Sequence, residues 1–217
     1  MKIISLNCQI ENADFSKIAN FLDKQNADIV VLQEVELTDG DFSEKINSAM
    51  KTPYQFSKTE TVEEYTTSRG EFYIQGQSVL SKFDFSSSKV NLSNVLGDKH
   101  NRISQNIEFS VGGEKITLSN VHFTNKDGNI AQLEEIISRK SDIIVGDFNI
   151  RGEDVLKNKK EYSAACEFSD YVSHPASDVF FQIDHCLISN RFNFRKVEVF
   201  EGLSDHNALI LEIEEKR

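Results

Sequence analysis

Short apolar runs bounded by polar residues alternate along this chain with stretches whose apolar residues recur at helical spacing. Lys2 to Leu6 reads as a short strand, Ser16 to Lys24 as a helix, and Asp28 to Leu32 as a buried strand. The order returns later, where Ile130 to Ser138 sets Ile130, Leu133, Ile136 and Ile137 on one helical face and Ser141 to Val145 follows as a second buried run. Ala27-Asp28-Ile29-Val30-Val31 and Ser141-Asp142-Ile143-Ile144-Val145 echo each other, which suggests two similar halves. Between them, Phe72 to Asn120 breaks into short apolar pieces with Gly112-Gly113 as a hairpin turn, the pattern of antiparallel sheet. Ser57 to Gly70, polar and rich in Thr and Glu, reads as an exposed loop.

With 217 residues, 39% of them hydrophobic, the chain can bury one sizeable core. Two Pro, ten Gly and no Ser/Gly-rich linker predict a single domain over 1–217. No segment reads as a signal peptide or reaches membrane-spanning length, so a soluble, cytoplasmic protein is expected. The three cysteines, Cys8, Cys166 and Cys186, lack metal-site spacing and fit free, mostly buried thiols in a reducing compartment. A lone Asn91-Leu92-Ser93 sequon leaves a secreted location open. The net charge of −11 excludes a broad footprint on nucleic acid. It does not exclude a phosphate substrate, because a divalent cation held by carboxylates inverts the local field.

Polar blocks abut the apolar runs. Leu32-Gln33-Glu34 and Gly146-Asp147-Phe148-Asn149 each follow a buried strand, while Gln182-Ile183-Asp184-His185 and Ser204-Asp205-His206 each precede one. Phosphoester hydrolysis asks for a hard cation on the phosphoryl oxygens, an oriented water, and donors for the charge that grows in the transition state. Glu34 is the leading candidate cation ligand. Gly146, without a side chain, is read as a tight turn that aims Asp147 and Asn149 at one site. Asp184 is placed to orient an imidazole, which makes His206 a base or donor, and His122 in Ser119-Asn120-Val121-His122 is a second candidate. His100, His174 and His185 are read as structural.

From Leu6-Asn7 through Glu34, His122, Asp147 and Asp184 to Ser204-Asp205-His206, the order of these blocks resembles the endonuclease/exonuclease/phosphatase superfamily over nearly the whole chain. The resemblance implies a four-layered α/β sandwich, two mixed sheets face to face with helices outside, and a Mg²⁺- or Mn²⁺-dependent site at one edge. It implies Glu34 as the principal metal ligand, with Asn7 and Asp205 completing or supporting the shell. Asp147 would orient or deprotonate the attacking water, and Asn149 would be a phosphate or transition-state donor. His206, paired with Asp184, would stabilise the developing phosphorane, and His122 would be the second histidine.

Some positions depart from that pattern. Many relatives carry Trp-Asn where this chain has Leu6-Asn7, and the chain has no Trp. Phe181 stands where abasic-site endonucleases carry a Trp and is the candidate base or sugar wedge. Asn129 replaces an arginine ahead of Gln132, and Arg102 is a candidate phosphate contact. Lys157, Lys159 and Lys160 read as a solvated helix face. The expected activity is that of a phosphodiesterase on nucleic-acid ends, nucleotides or another small phosphodiester. The alternatives are a phosphomonoesterase of the inositol-phosphate or phospholipid head-group type and a non-catalytic binding protein that keeps the fold. A monomer without membrane insertion is expected, with a phosphate ester as its partner.

Overall fold

A computed structural model describes residues 1–12, 14–66, 70–176 and 179–216. The first half runs β1 (Lys2–Asn7), α1 (Phe15–Gln25), β2 (Ile29–Glu36), α2 (Phe42–Ala49), β3 (Phe56–Thr66), β4 (Phe72–Ser81), β5 (Phe85–Asn91), β6 (Ile103–Val111) and β7 (Glu114–His122). The second runs α3 (Asn129–Ser138), β8 (Ile143–Asp147), α4 (Gly152–Asn158), β9 (Ser163–Ala164), α5 (Ala165–Phe168), β10 (His174–Ala176), β11 (Val179–Phe181), β12 (Asp184–Ile188), β13 (Phe192–Phe200) and β14 (Ala208–Glu215).

Two six-stranded sheets form, ordered β13-β14-β1-β2-β4-β3 and β5-β6-β7-β8-β12-β9. Each has one parallel pair at its centre, β1 with β2 and β7 with β8, flanked by antiparallel neighbours. The repeated strand-helix-strand pattern in the sequence is therefore matched by equivalent pairings in the two sheets. A parallel pair needs a crossover, and α1 and α3 supply it.

Three apolar layers hold four layers of structure together. Between the sheets pack Ile3, Ile29, Val31, Val79, Leu118, Ile143, Val145, Cys186 and Leu211. Outside the first sheet, Ile18, Leu22, Phe42 and Ile46 of α1 and α2 meet Ile4, Val30, Leu32 and Leu80. Outside the second, Leu133, Ile136 and Ile137 of α3 and Val155 of α4 meet Val121, Ile144 and Leu187. The parallel strands are apolar on both faces because both faces are covered. Each fully buried aliphatic side chain contributes roughly 1.5–3 kcal/mol, so these layers make a rigid frame. The four-layered sandwich expected from the resemblance is the fold observed.

The structure departs from the residue pattern in several places. Most of the segment read as an exposed loop over Ser57 to Gly70 is β3, an edge strand with a solvated face whose Thr and Glu residues mimic a loop; residues 67–69 of it lie outside the described residues. The helix α2 went unread, although Asp41 caps it by accepting from the backbone N–H of Ser43 and Glu44. Gly146 is no turn but an interior residue of β8, opposite Val121 and His185. A Cβ there would lie 2.0 Å from the Val121 carbonyl oxygen, and its φ of +145° is one that other residues rarely adopt.

Candidate active site

The inner faces of the sheets change character toward one edge. Above the apolar layer lies an amide layer of Gln33, Gln77, Gln105 and Asn120, all buried. Asn120 Nδ2 donates to the carbonyls of Leu32 and Ser78 at 3.3 Å and to Gln105 Oε1 at 3.2 Å, while Asn120 Oδ1 accepts from Gln33 Nε2 at 2.8 Å. This side chain of the second sheet thus holds the backbone of the first where β2 is irregular. The β2–β4 register shifts between Leu32 and Val35, and Glu34 takes a φ of +51°. Glu34 was expected just past a strand end; it lies instead within β2, turned out by this bulge toward the edge of the sandwich.

At that edge, where the parallel strands end, a cavity of about 360 Å³ is lined by Glu34, Tyr65, Gln75, His100, Arg102, His122, Asn125, Asp147, Asn149, His174, Ile183, Asp205 and His206. Asn7 Nδ2, at the end of β1, donates to Glu34 Oε1 and to Asp147 Oδ2, each at 3.1 Å. His122 Nε2 lies 3.4 Å from Asp147 Oδ2 and 3.9 Å from Glu34 Oε1. Register places His122 opposite Asp147 and Asp147 opposite Asp184, so β7, β8 and β12 deliver three site residues in a row. Asn149, at φ +52°, gives its backbone N–H to Asp147 Oδ1 and its side-chain Nδ2 to the Phe123 carbonyl.

Asp184 sits behind the cavity wall. Its Oδ2 lies 2.8 Å from His206 Nδ1, and Ser173 Oγ accepts the Asp184 backbone N–H at 2.9 Å. Ser204 straps the His206 loop down by donating Oγ to the Asn7 carbonyl at 2.6 Å and accepting the His206 N–H. Burial opposes charge on His206, but Asp184 and then Asp147 outweigh it and raise its pKa to about 10. The Asp147 carboxyl is pushed up to about 7, chiefly by burial and then by Asp184, with Glu34 adding to it. Burial, helped by the Arg102 charge, holds His122 well below the ordinary histidine value, so this ring is neutral.

Of the residues expected from the sequence, Glu34, Asn149, Arg102, His122, Asp147, Asp205 and His206 meet in the cavity wall, with Asn7 and Asp184 bonded to them. Arg102 is half-buried, its Nε 3.0 Å from Asp98 Oδ2. Phe181 does not line this cavity: the β10–β11 pairing sets it opposite His174, its ring 6.3 Å from the His174 ring and beneath the Arg151 guanidinium. His100 and His174, read as structural, are cavity residues; His100 Nδ1 lies 2.5 Å from Glu63 Oε1, which raises its pKa. No local pattern around either marks it, because each is carried in by a distant connection. His185 is structural as expected, buried with Nε2 2.8 Å from the Ile150 carbonyl. Lys157 pairs with Asp154 and Lys159 with Glu167, on the outer face. Cys8, Cys166 and Cys186 are free thiols.

The donor set fits a hard divalent cation. Glu34, Asp147 and Asp205 bring carboxyl oxygens to one cavity beside the Asn7 amide, burial and neighbouring acids press on the Asp147 carboxyl, and oxygen ligands are what magnesium and manganese take.

Structurally, then, this is a two-sheet α/β sandwich with an acid-histidine site at one edge. The chain belongs to the endonuclease/exonuclease/phosphatase family, whose sequence profile it matches over residues 4–206. Members of that family are hydrolases of phosphoester bonds. No curated protein matches the chain. Among solved structures, a family protein from Leptotrichia buccalis is similar at a TM-score of 0.79 and 14% identity over 99% of both chains. Humanized D. rerio TDP2 is similar at 0.73 and 13% identity, over 99% of this chain and 98% of that one. The human Nocturnin catalytic domain with bound sulfate is similar at 0.70 and 14% identity, over 100% and 94%. At these identities the likeness is one of fold. Among the described residues no helix is long and apolar enough to cross a membrane.

Proposed function

We propose that this protein is a Mg²⁺- or Mn²⁺-dependent phosphodiesterase acting on nucleic-acid ends, nucleotides or another small phosphodiester. The observation that carries the reading is the Asn7 amide, which ties Glu34 of one sheet to Asp147 of the other beside the imidazoles of His122 and His206. Glu34 would hold the cation, supported by Asn7 and Asp205. When bound, such a cation would neutralise charge on the phosphoryl oxygens and make the phosphorus more electrophilic.

The rest falls to the chain's own residues. Asp147, with its carboxyl raised toward neutrality, accepts the proton of the attacking water and aims it. His206, charged and held by Asp184, presents Nε2 toward the cavity to meet the growing phosphoryl charge. Asn149 has a second amide hydrogen beyond the one given to Phe123, and Arg102 keeps its outer guanidinium nitrogens; both offer donors to non-bridging oxygens. The net charge of −11 favours small or single-ended substrates over a duplex track.

The test is hydrolysis of bis(p-nitrophenyl) phosphate against p-nitrophenyl phosphate with Mg²⁺ or Mn²⁺, followed by abasic DNA, single-stranded ends, cyclic nucleotides, inositol phosphates and phospholipids. Preference for the diester is expected. Preference for the monoester would replace this reading with that of a phosphomonoesterase.

A further inference from the structure

Three donors at the cavity rim are grouped apart from Glu34 and Asn7. His174, Asp205 and His206 each place one ligand atom within 4.8 Å of the others. The two rings, from β10 and from the loop before β14, meet edge to face with centroids 4.5 Å apart. Asp205 is exposed, so its carboxylate reorients without disturbing the core.

The two imidazoles point to a cation in different ways. Metal-binding histidines nearly always give their second ring nitrogen to a carboxylate or carbonyl, which fixes the tautomer and raises the basicity of the first. His206 has this arrangement through Asp184, and its Nε2 stands toward the cavity, 3.9 Å from Asp147 Oδ2. His174 Nδ1 is buried and, among the described residues, has no hydrogen-bond partner. A buried polar atom left without a partner needs an occupant to explain it.

We propose that His174, Asp205 and His206 form a second cation site, selective for zinc over magnesium, whose occupancy blocks the phosphoester site. Two imidazoles, one carboxylate and a water make an ordinary tetrahedral zinc shell, whereas magnesium keeps to oxygen and to near-octahedral geometry. Bonds of about 2.1 Å put tetrahedral ligands roughly 3.4 Å apart, so the exposed Asp205 closes inward on binding. Zinc takes the Nε2 lone pair of His206 and releases its proton to solvent. It also draws Asp205 away from the Glu34 side. The inhibitory half of this inference rests on the phosphodiesterase reading; the binding half does not.

The experiment is calorimetric titration of the metal-stripped full chain with zinc, joined to cobalt(II) titration followed by visible absorption, for wild type, H174Q, D205N and E34Q. Circular dichroism establishes that each variant is folded; should H174Q fail to fold, D205N, altered at an exposed position, carries the comparison. One zinc site is expected in the wild type and in E34Q, with affinity at least about tenfold weaker in H174Q and D205N. Cobalt should give the intense bands of a four-coordinate site in the same two proteins that bind zinc tightly. A wild type without a zinc site, or H174Q and D205N that bind zinc as tightly as wild type, would overturn the site. In magnesium-supported hydrolysis, zinc should inhibit the wild type, and about tenfold more of it should be needed for H174Q. Zinc binding without inhibition of an active wild type overturns the blocking role, and zinc binding in a protein that hydrolyses no phosphoester overturns the phosphodiesterase reading alone.

Discussion

His206 Nδ1 lies 2.8 Å from Asp184 Oδ2, and this bond joins the loop before β14 in one sheet to the first residue of β12 in the other. It fixes which imidazole nitrogen faces the cavity and keeps the ring charged to about pH 10. Removing the ring in H206A should lower kcat by roughly 10²–10³. Because the folded pKa of His206 is raised, its charge and the stability it adds are complete below about pH 6.5 and lost as pH rises through about 10. In D184N the alkaline limb of the kcat/KM profile should move down toward neutrality; an unmoved limb would show that His206 is not the group titrating.

Asp147 is favoured neutral in the metal-free fold, where His206 is favoured charged. Its carboxyl is raised from 3.8 to about 7 by burial and by Asp184 and Glu34. The neutral form is therefore favoured in the folded state, and stability present below about pH 4 is lost as pH rises through about 7. Without metal, D147N should be more stable than wild type at pH 8, on the order of 2–4 kcal/mol, by urea unfolding. The same variant should lose about 10²–10⁴ in kcat. Equal stability of the two proteins at pH 8 would remove the electrostatic crowding on which the cation assignment draws.

His185 supplies a pH signal outside the site. Burial lowers its pKa from 6.5 to about 4, and its Nε2 lies within hydrogen-bond reach of the Ile150 carbonyl. A depressed histidine adds stability that is present above pH 6.5 and is lost as pH falls through 4, on the order of 3 kcal/mol. The denaturation midpoint of the wild type should fall over that window, and H185Q should flatten the fall.

Gly146 is where the sequence allows no side chain. In G146A the new Cβ meets the Val121 carbonyl and the backbone holds φ +145°, so β7 and β8 must part. The expected loss is at least about 3 kcal/mol, read as a fall in Tm of about 2–4 °C per kcal/mol for a chain of this size. Because His122 and Asp147 sit on those two strands, activity should fall with it.

Much of this arrangement was legible in the sequence because it is local. Asp28 to Leu32 and Ser141 to Val145 announce buried strands by composition alone, and the acids that follow mark where the site must lie. What was illegible depends on pairings far apart in the chain. The bulge that turns Glu34 outward is held by Asn120, 88 residues from Leu32, and no spacing around Glu34 reports it. His174 enters through β10 and His100 through its bond to Glu63 of β3, a strand whose solvated face disguised it as a loop. Phe181 falls outside the cavity wall for the same kind of reason, since the β10–β11 register sets it opposite His174.

In the proposed phosphodiesterase, Glu34 and its neighbours hold the divalent cation on which hydrolysis depends. The most direct measurement is isothermal titration of Mn²⁺ into the EDTA-stripped protein, in parallel with hydrolysis of bis(p-nitrophenyl) phosphate, for wild type and E34Q. Wild type should bind Mn²⁺, stay silent in EDTA and regain hydrolysis in proportion to occupancy, while E34Q should lose both together. Hydrolysis that persists in excess EDTA, or that E34Q retains at the wild-type rate, would rule out a metal-dependent site at Glu34.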